Sequence, residues 1–152
     1  MEKVESISVT IQKRMTPRCA SPDEATSVTP TGNLIPLLHE IRHALERWLR
    51  EGHSHVIDLH SLPMSPDEQR QLLDLLGEGE VSASLSALGN SEVIETAFAG
   101  VWRVTHYNDD DVLVGHFIEI CQAPDILKSH PDDGRLALKQ LDDLLSSVET
   151  TA

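Results

Sequence analysis

The sequence predicts an α+β fold, an antiparallel four- to five-stranded meander sheet packed against two to three helices. Three observations carry that expectation. Four strand-like runs separated by short turn signals occupy residues 81–121. Apolar residues at helical spacing precede them over residues 34–49. Between the two, Ser65-Pro66-Asp67-Glu68 reads as a capping box with proline at the first helical position, and the helix it opens stops at Gly77.

Taken in order, residues 1–32 carry Pro17, Pro22 and Pro30 among many Ser and Thr. A flexible or arm-like segment is expected there. Within it, Ile7-Ser8-Val9-Thr10-Ile11 alternates as an edge strand would, so a strand docked on this sheet or a neighbour's is the alternative. Residues 33–149 are expected to form a single α+β domain, in keeping with a chain of 152 residues. In the first helix Leu34, Leu38, Ile41, Leu45 and Trp48 form the apolar stripe, widened by Leu37, Ala44 and Leu49. Asn33 is its candidate N-cap and Gly52 its candidate stop. Val56-Ile57-Asp58-Leu59 reads as a short strand, and Leu72, Leu73, Leu75 and Leu76 populate the second helix.

The meander follows. Val81, Ala83 and Leu85 alternate with Ser82 and Ser84, as in a sheet wet on one face. Gly89-Asn90, Ala99-Gly100 and Asn108-Asp109-Asp110-Asp111 are the turn signals that divide strands at residues 93–98, 101–107 and 112–121. Pro124 breaks the pattern, a short helical turn is expected around Ile126-Leu127, and Leu138, Leu141, Leu145 and Val148 mark a final helix.

Composition narrows the function. Twelve Lys and Arg against 25 Asp and Glu give a formal net charge of −13. That field repels nucleic acid and anionic membranes and favours basic partners or solubility. Aromatic residues at 3% leave no stacking platform for bases. Cys19 and Cys121 make no disulfide framework, so reduced thiols are expected. The N-terminus lacks a basic stretch followed by an apolar one, and no apolar run is long enough to span a bilayer. A cytoplasmic protein is expected.

His39-Glu40-Ile41-Arg42-His43 matches H-E-x-x-H on a helix, the spacing at which two imidazoles hold zinc and the glutamate acts as base. At 100° per residue, however, His39 and His43 fall with Glu46 and Arg50 on the polar side. Glu46 and Leu49 also occupy the positions where the extended motif has Gly and His. With His53, His55 and His60 nearby, the set reads as exposed, titratable histidines or an adventitious metal site. Gly77-Glu78-Gly79-Glu80 lacks the Lys-Ser/Thr of a phosphate loop, and its carboxylates repel phosphate. A helix cap followed by a strand start explains its glycines; the two glutamates are candidates to face a partner. Trp102 reads as a core residue or an interface anchor. Glu95, among apolar neighbours, needs a partner, and Arg103 is the candidate. Cys121 reads as a buried, inert thiol. No Ser-His-Asp or Cys-His arrangement is legible.

Leu76-Gly77-Glu78-Gly79-Glu80-Val81-Ser82-Ala83 and Glu95-Thr96-Ala97-Phe98-Ala99-Gly100-Val101-Trp102-Arg103-Val104 together resemble the HupH/HyaF family of hydrogenase expression/formation proteins. So do Leu37-Leu38-His39-Glu40-Ile41 with Ala44-Leu45-Glu46, Ile57-Asp58-Leu59 with Ser61-Leu62-Pro63, and Ile118-Glu119-Ile120 with Pro124-Asp125-Ile126-Leu127. The resemblance covers residues 33–130 in order. It implies an accessory, chaperone-like role in maturing the small iron–sulfur subunit of an uptake [NiFe]-hydrogenase, before twin-arginine export. It implies no enzymatic activity and no cofactor. Members commonly carry two copies of the domain and this chain carries one, so a homodimer is the expected assembly.

The expected partner-binding residues are Gly77, Glu78, Gly79, Glu80, Glu95, Gly100 and Trp102. The expected partner is a hydrogenase small-subunit precursor or another hydrogenase maturation protein. No catalytic residue is expected. The rival readings are a small zinc-dependent hydrolase built on His39, Glu40 and His43, and a dimeric scaffold without client specificity.

Overall fold

The computed structural model describes residues 8–13, 31–87 and 89–151, leaving aside the side chains of residues 8–13, 87 and 151. Most of the expected flexible arm, and Cys19 with it, lies outside the described residues. The chain divides into two compact units, Met1–Gln122 and Ala123–Ala152.

In the first unit, strand β1 (Ser8–Lys13) precedes helix α1 (Leu34–Glu51), strand β2 (His55–Asp58) and helix α2 (Pro66–Leu76). Strands β3 (Val81–Ala87), β4 (Gly89–Glu95), β5 (Val101–Tyr107) and β6 (Leu113–Ile120) then form the meander. All pairings are antiparallel, in the spatial order β1-β3-β4-β5-β6-β2. The expected α+β class and meander are both present. The sheet has six strands where four to five were expected, because β1 and β2 each add to an outer strand of the meander. From Ser8 onward, the alternation read in residues 7–11 lies in β1, which pairs with β3, with Val9 opposite Leu85 and Ile11 opposite Ala83. Strand β4 begins at Gly89, four residues earlier than its apolar run suggested, and ends before Thr96. Polar residues 90–92 are carried into the sheet by their pairing with β3.

Register assigns the two faces. Ile57, Ile118, Arg103, Ile94 and Ser82 share one row, and Val101 and Ile120 the next row on the same face. Ile57, Ile118, Ile120 and Val101 form the main core with Leu37, Ile41 and Ala44 of α1 and Leu72 and Leu76 of α2. Each leucine buried there stabilises the fold by about 1.5–3 kcal/mol. The opposite face carries Ala83, Val93, Val104 and Trp102, which are also buried. The apolar alternation of β3 was therefore legible, but its apolar side faces away from α1 and α2.

Local signals explain the helix ends. Ser65 accepts from the Glu68 amide while the Glu68 carboxylate accepts from the Ser65 amide, so the expected capping box is complete, with Pro66 at its first position. Gly52 ends α1 in the left-handed conformation and donates to the Trp48 carbonyl. Asn33 occupies the expected N-cap position of α1 without capping through its side chain. Its side-chain amide donates to Thr31 Oγ1 and to the Pro63 carbonyl, tying the start of α1 to the loop before α2. The buried stripe of α1 is centred on Leu37, Ile41 and Ala44, with Leu34, Leu38, Leu45 and Trp48 half-buried around it and Leu49 exposed.

The second unit holds a short 3-10 turn at Asp125–Leu127 and the final helix α3, Pro131–Thr151, both foreseen from the apolar spacing.

Candidate functional site

Residues 76–80 and 95–101 are stitched together by main-chain hydrogen bonds. The Ala97 amide donates to the Leu76 carbonyl at 2.9 Å, and the Gly79 amide to the Glu95 carbonyl at 2.6 Å. The Gly77 amide closes α2 onto Leu73, and the Thr96 amide reaches the Val101 carbonyl. Glycine at position 79 is a steric requirement. A Cβ there would lie 2.4 Å from the Thr96 carbonyl oxygen, and a main-chain atom cannot swing aside. Gly77 has φ 63° and ψ −165°, a conformation almost confined to glycine. The two glycines expected in the site thus serve the seam between α2 and the meander.

At the tip of the second segment, Phe98 is 51% exposed. Its turn is held from below by the buried Thr96, whose hydroxyl bonds both the Phe98 amide and the Phe98 carbonyl at 3.2 Å. The Val101 amide donates to the same carbonyl at 3.0 Å. An exposed aromatic ring on a turn fixed in this way loses little further entropy on binding. The apolar run of residues 93–98 predicts a strand through Phe98, but β4 ends at Glu95 and leaves Phe98 on the turn. The signal available was the Thr-x-Phe spacing beside Ala99-Gly100, where a threonine hydroxyl can close a tight turn.

The remaining expected residues fall as follows. Glu78 and Glu80 are exposed, on either side of Gly79. Glu78 lies 3.6 Å from the Arg103 guanidinium, which is mostly shielded from solvent. Arg103, the expected partner of Glu95, faces away from it. Glu95 pairs in register with Trp102, so Glu95 and Arg103 point to opposite faces of the sheet. Trp102 is 6% exposed, and its indole N–H donates to the Cys121 carbonyl at 3.1 Å. Cys121 is itself buried. Gly100 is buried where a Cβ would press on the Trp48 ring at 2.8 Å.

Two titratable groups are shifted from their ordinary values, His116 and Glu68. His116, buried on the same sheet face as Arg103, is pushed below the usual 6.5 by burial and then by the charges of Arg103 and His60. Glu68 accepts from the Ser65 amide, from Thr31 Oγ1 at 2.7 Å and from the Gly32 amide at 2.8 Å. Those hydrogen bonds, that of Ser65 foremost, hold its carboxyl at about 2, against the ordinary 4.5. The capping box announced Glu68; its reach to Thr31, 37 positions upstream, had no local signal.

The H-E-x-x-H histidines lie on the exposed side of α1. His39 and His43 are exposed on α1 with rings stacked at 6.2 Å, and Glu40 lies 3.3 Å from His55 Nε2. Among the described residues no group of three or more His, Cys, Asp or Glu is placed to hold a metal ion. Among them, too, no helix is long and apolar enough to cross a membrane.

A rigid α+β scaffold presenting a stitched, aromatic-tipped turn flanked by carboxylates has the form of a binding surface. Comparison with known proteins gives its family. The profile of the HupH hydrogenase expression protein, C-terminal conserved region, matches residues 32–148, and the chain belongs to that family. The hydrogenase expression/formation protein HupH of Rhizobium leguminosarum bv. viciae is 28% identical over 142 residues, covering 93% of this chain and 50% of the relative. The hydrogenase-1 operon protein HyaF of Escherichia coli K12 is 36% identical over 83 residues, covering 53% of this chain and 28% of the relative. The solved structure of the hydrogenase expression protein HupH from Thiobacillus denitrificans superposes with a TM-score of 0.75 at 36% identity, covering 78% of this chain and 99% of that one. The chain spans about half the length, or less, of the curated relatives it matches.

Proposed function

We propose that this protein is an accessory factor in hydrogenase maturation that works by binding a protein client, with no bond made or broken. Membership of the HupH family, whose relatives are named hydrogenase expression/formation proteins, supports the process. The observation that carries the binding mode is Phe98, half exposed on a turn that Thr96 and the Gly79 seam hold in place. Glu78 and Glu80 stand on the seam beside it and give the surface its acidic character. Glu95 lies at the end of β4 where that turn begins, while Gly77, Gly79, Gly100 and Trp102 shape and support the backbone.

The client is the precursor of the small iron–sulfur subunit, engaged in the cytoplasm. The acidic surface of a chain with net charge −13 suits a basic client segment. Co-purification from cells producing that precursor tests the reading. Wild type should retain the precursor and release it as salt rises, Phe98→Ala should lose most of it, and Glu78→Ala/Glu80→Ala should retain less at low salt and depend less on salt. Equal recovery with all three proteins defeats the proposal.

A further inference from the structure

The amphipathic helix α3 has no role in the binding surface just described. Ala137, Leu138, Leu141, Leu144, Leu145 and Val148 fall within an arc of about 120° at 100° per residue, and the charged residues occupy the remainder. Leu138, Leu141, Leu144, Leu145 and Val148 are 62%, 56%, 57%, 58% and 58% exposed. The positions 138, 141, 145 and 148 alternate steps of three and four, the heptad spacing of a helix–helix seam.

Charges along one edge of this arc identify what fits it. Arg135, Asp142 and Glu149 recur every seven residues and so share one heptad position. Two α3 helices laid antiparallel about Asp142 bring Arg135 opposite the partner's Glu149, and two-fold symmetry makes that pair twice. A parallel pairing sets Asp142 and Glu149 against Ala137 and Leu144, which offer no charge. Arg135 contacts Asp132 on its own helix, but both side chains are at least 70% exposed, so that link is weak and readily exchanged. The antiparallel seam has one adverse contact, Asp142 facing the partner's Asp142. We propose that two copies of this chain associate through α3 in an antiparallel, two-fold seam. Two heptads make a short seam, and each chain carries a net charge of −13, so association is weak at low salt and strengthens as salt is added.

Sedimentation velocity of the full chain, from low to high micromolar concentration, tests this. Wild type should show a concentration-dependent dimer, and Leu141→Glu/Leu145→Glu should stay monomeric with an unchanged melting curve. Arg135→Glu should weaken the dimer about 3- to 10-fold. The swap Arg135→Glu/Glu149→Arg should restore it, and Asp142→Asn should tighten it. A wild-type monomer at every concentration overturns the proposal, as does a dimer indifferent to Leu141→Glu/Leu145→Glu. A charge swap no better than the single change overturns the antiparallel register. A lowered melting point of the monomer in Leu141→Glu/Leu145→Glu means that the face is occupied within the chain, and overturns the seam.

Discussion

Replacing Gly79 by alanine tests whether the loop after α2 is welded to the turn after β4. The added methyl would sit 2.4 Å from the Thr96 carbonyl oxygen and 3.1 Å from that of Glu95. Both are main-chain atoms, so relief requires the two segments to separate. Forcing such a methyl group into a packed site costs about 1–3 kcal/mol. Separation also breaks the 2.6 Å hydrogen bond from Gly79 to Glu95, worth about 1 kcal/mol. The sum is about 2–4 kcal/mol, and at roughly 3 °C per kcal/mol for a chain of this size the melting point should fall about 6–12 °C. Gly52→Ala is the control. Its position has open space and φ 74°, so only the left-handed penalty of about 1–2 kcal/mol applies. Thermal melts by circular dichroism give the comparison. A Gly79→Ala protein that melts within a degree or two of wild type would mean that the segments are not stitched, and the rigid platform would go with them.

Other outcomes follow from the same structure. Because hydrogen bonds depress the folded carboxyl of Glu68 to about 2, its stabilising effect is complete above the unfolded value near 4.5 and is lost as pH falls towards 2. Urea melts across that window should be steeper in pH for wild type than for Glu68→Gln. His116 is also depressed, so the unfolded chain takes its proton first and stability falls as pH drops below about 6.5; His116→Gln should flatten that part of the profile. Phe98→Ala, at a half-exposed position, should shift stability by less than about 1 kcal/mol while abolishing client capture, which separates a binding role from a packing one. Gly134 lies within α3 with nothing near its missing Cβ, so Gly134→Ala should raise helicity and stabilise α3 by about 0.5–1 kcal/mol, read by far-UV circular dichroism.

Local patterns made much of the fold legible. The Ser65–Glu68 box, Gly52 and the turns at Ala99-Gly100 and Asn108–Asp111 act within a few positions and appear where their chemistry places them, whereas Gly89-Asn90, read as a turn, opens β4. What escaped depends on contacts distant in sequence. Strand β2 joins β6 far along the chain, with His55 opposite Ile120, and nothing in Val56-Ile57-Asp58-Leu59 names that neighbour. The pairing of Arg103 could not be read from adjacency, because a one-residue offset in register turns Glu95 to the other face and leaves Glu78 as the partner. Trp102 was weighed as core or anchor and is buried. The exposed aromatic four residues before it, Phe98, sits in an apolar run that reads as strand.

Hydrogen–deuterium exchange of this protein, alone and with purified small-subunit precursor, addresses the central claim most directly. Binding should slow exchange in residues 76–80 and 96–100 and leave the His39–His43 face of α1 unchanged. Protection confined to α1 or α3, with the turn around Phe98 exchanging as freely as before, would contradict it.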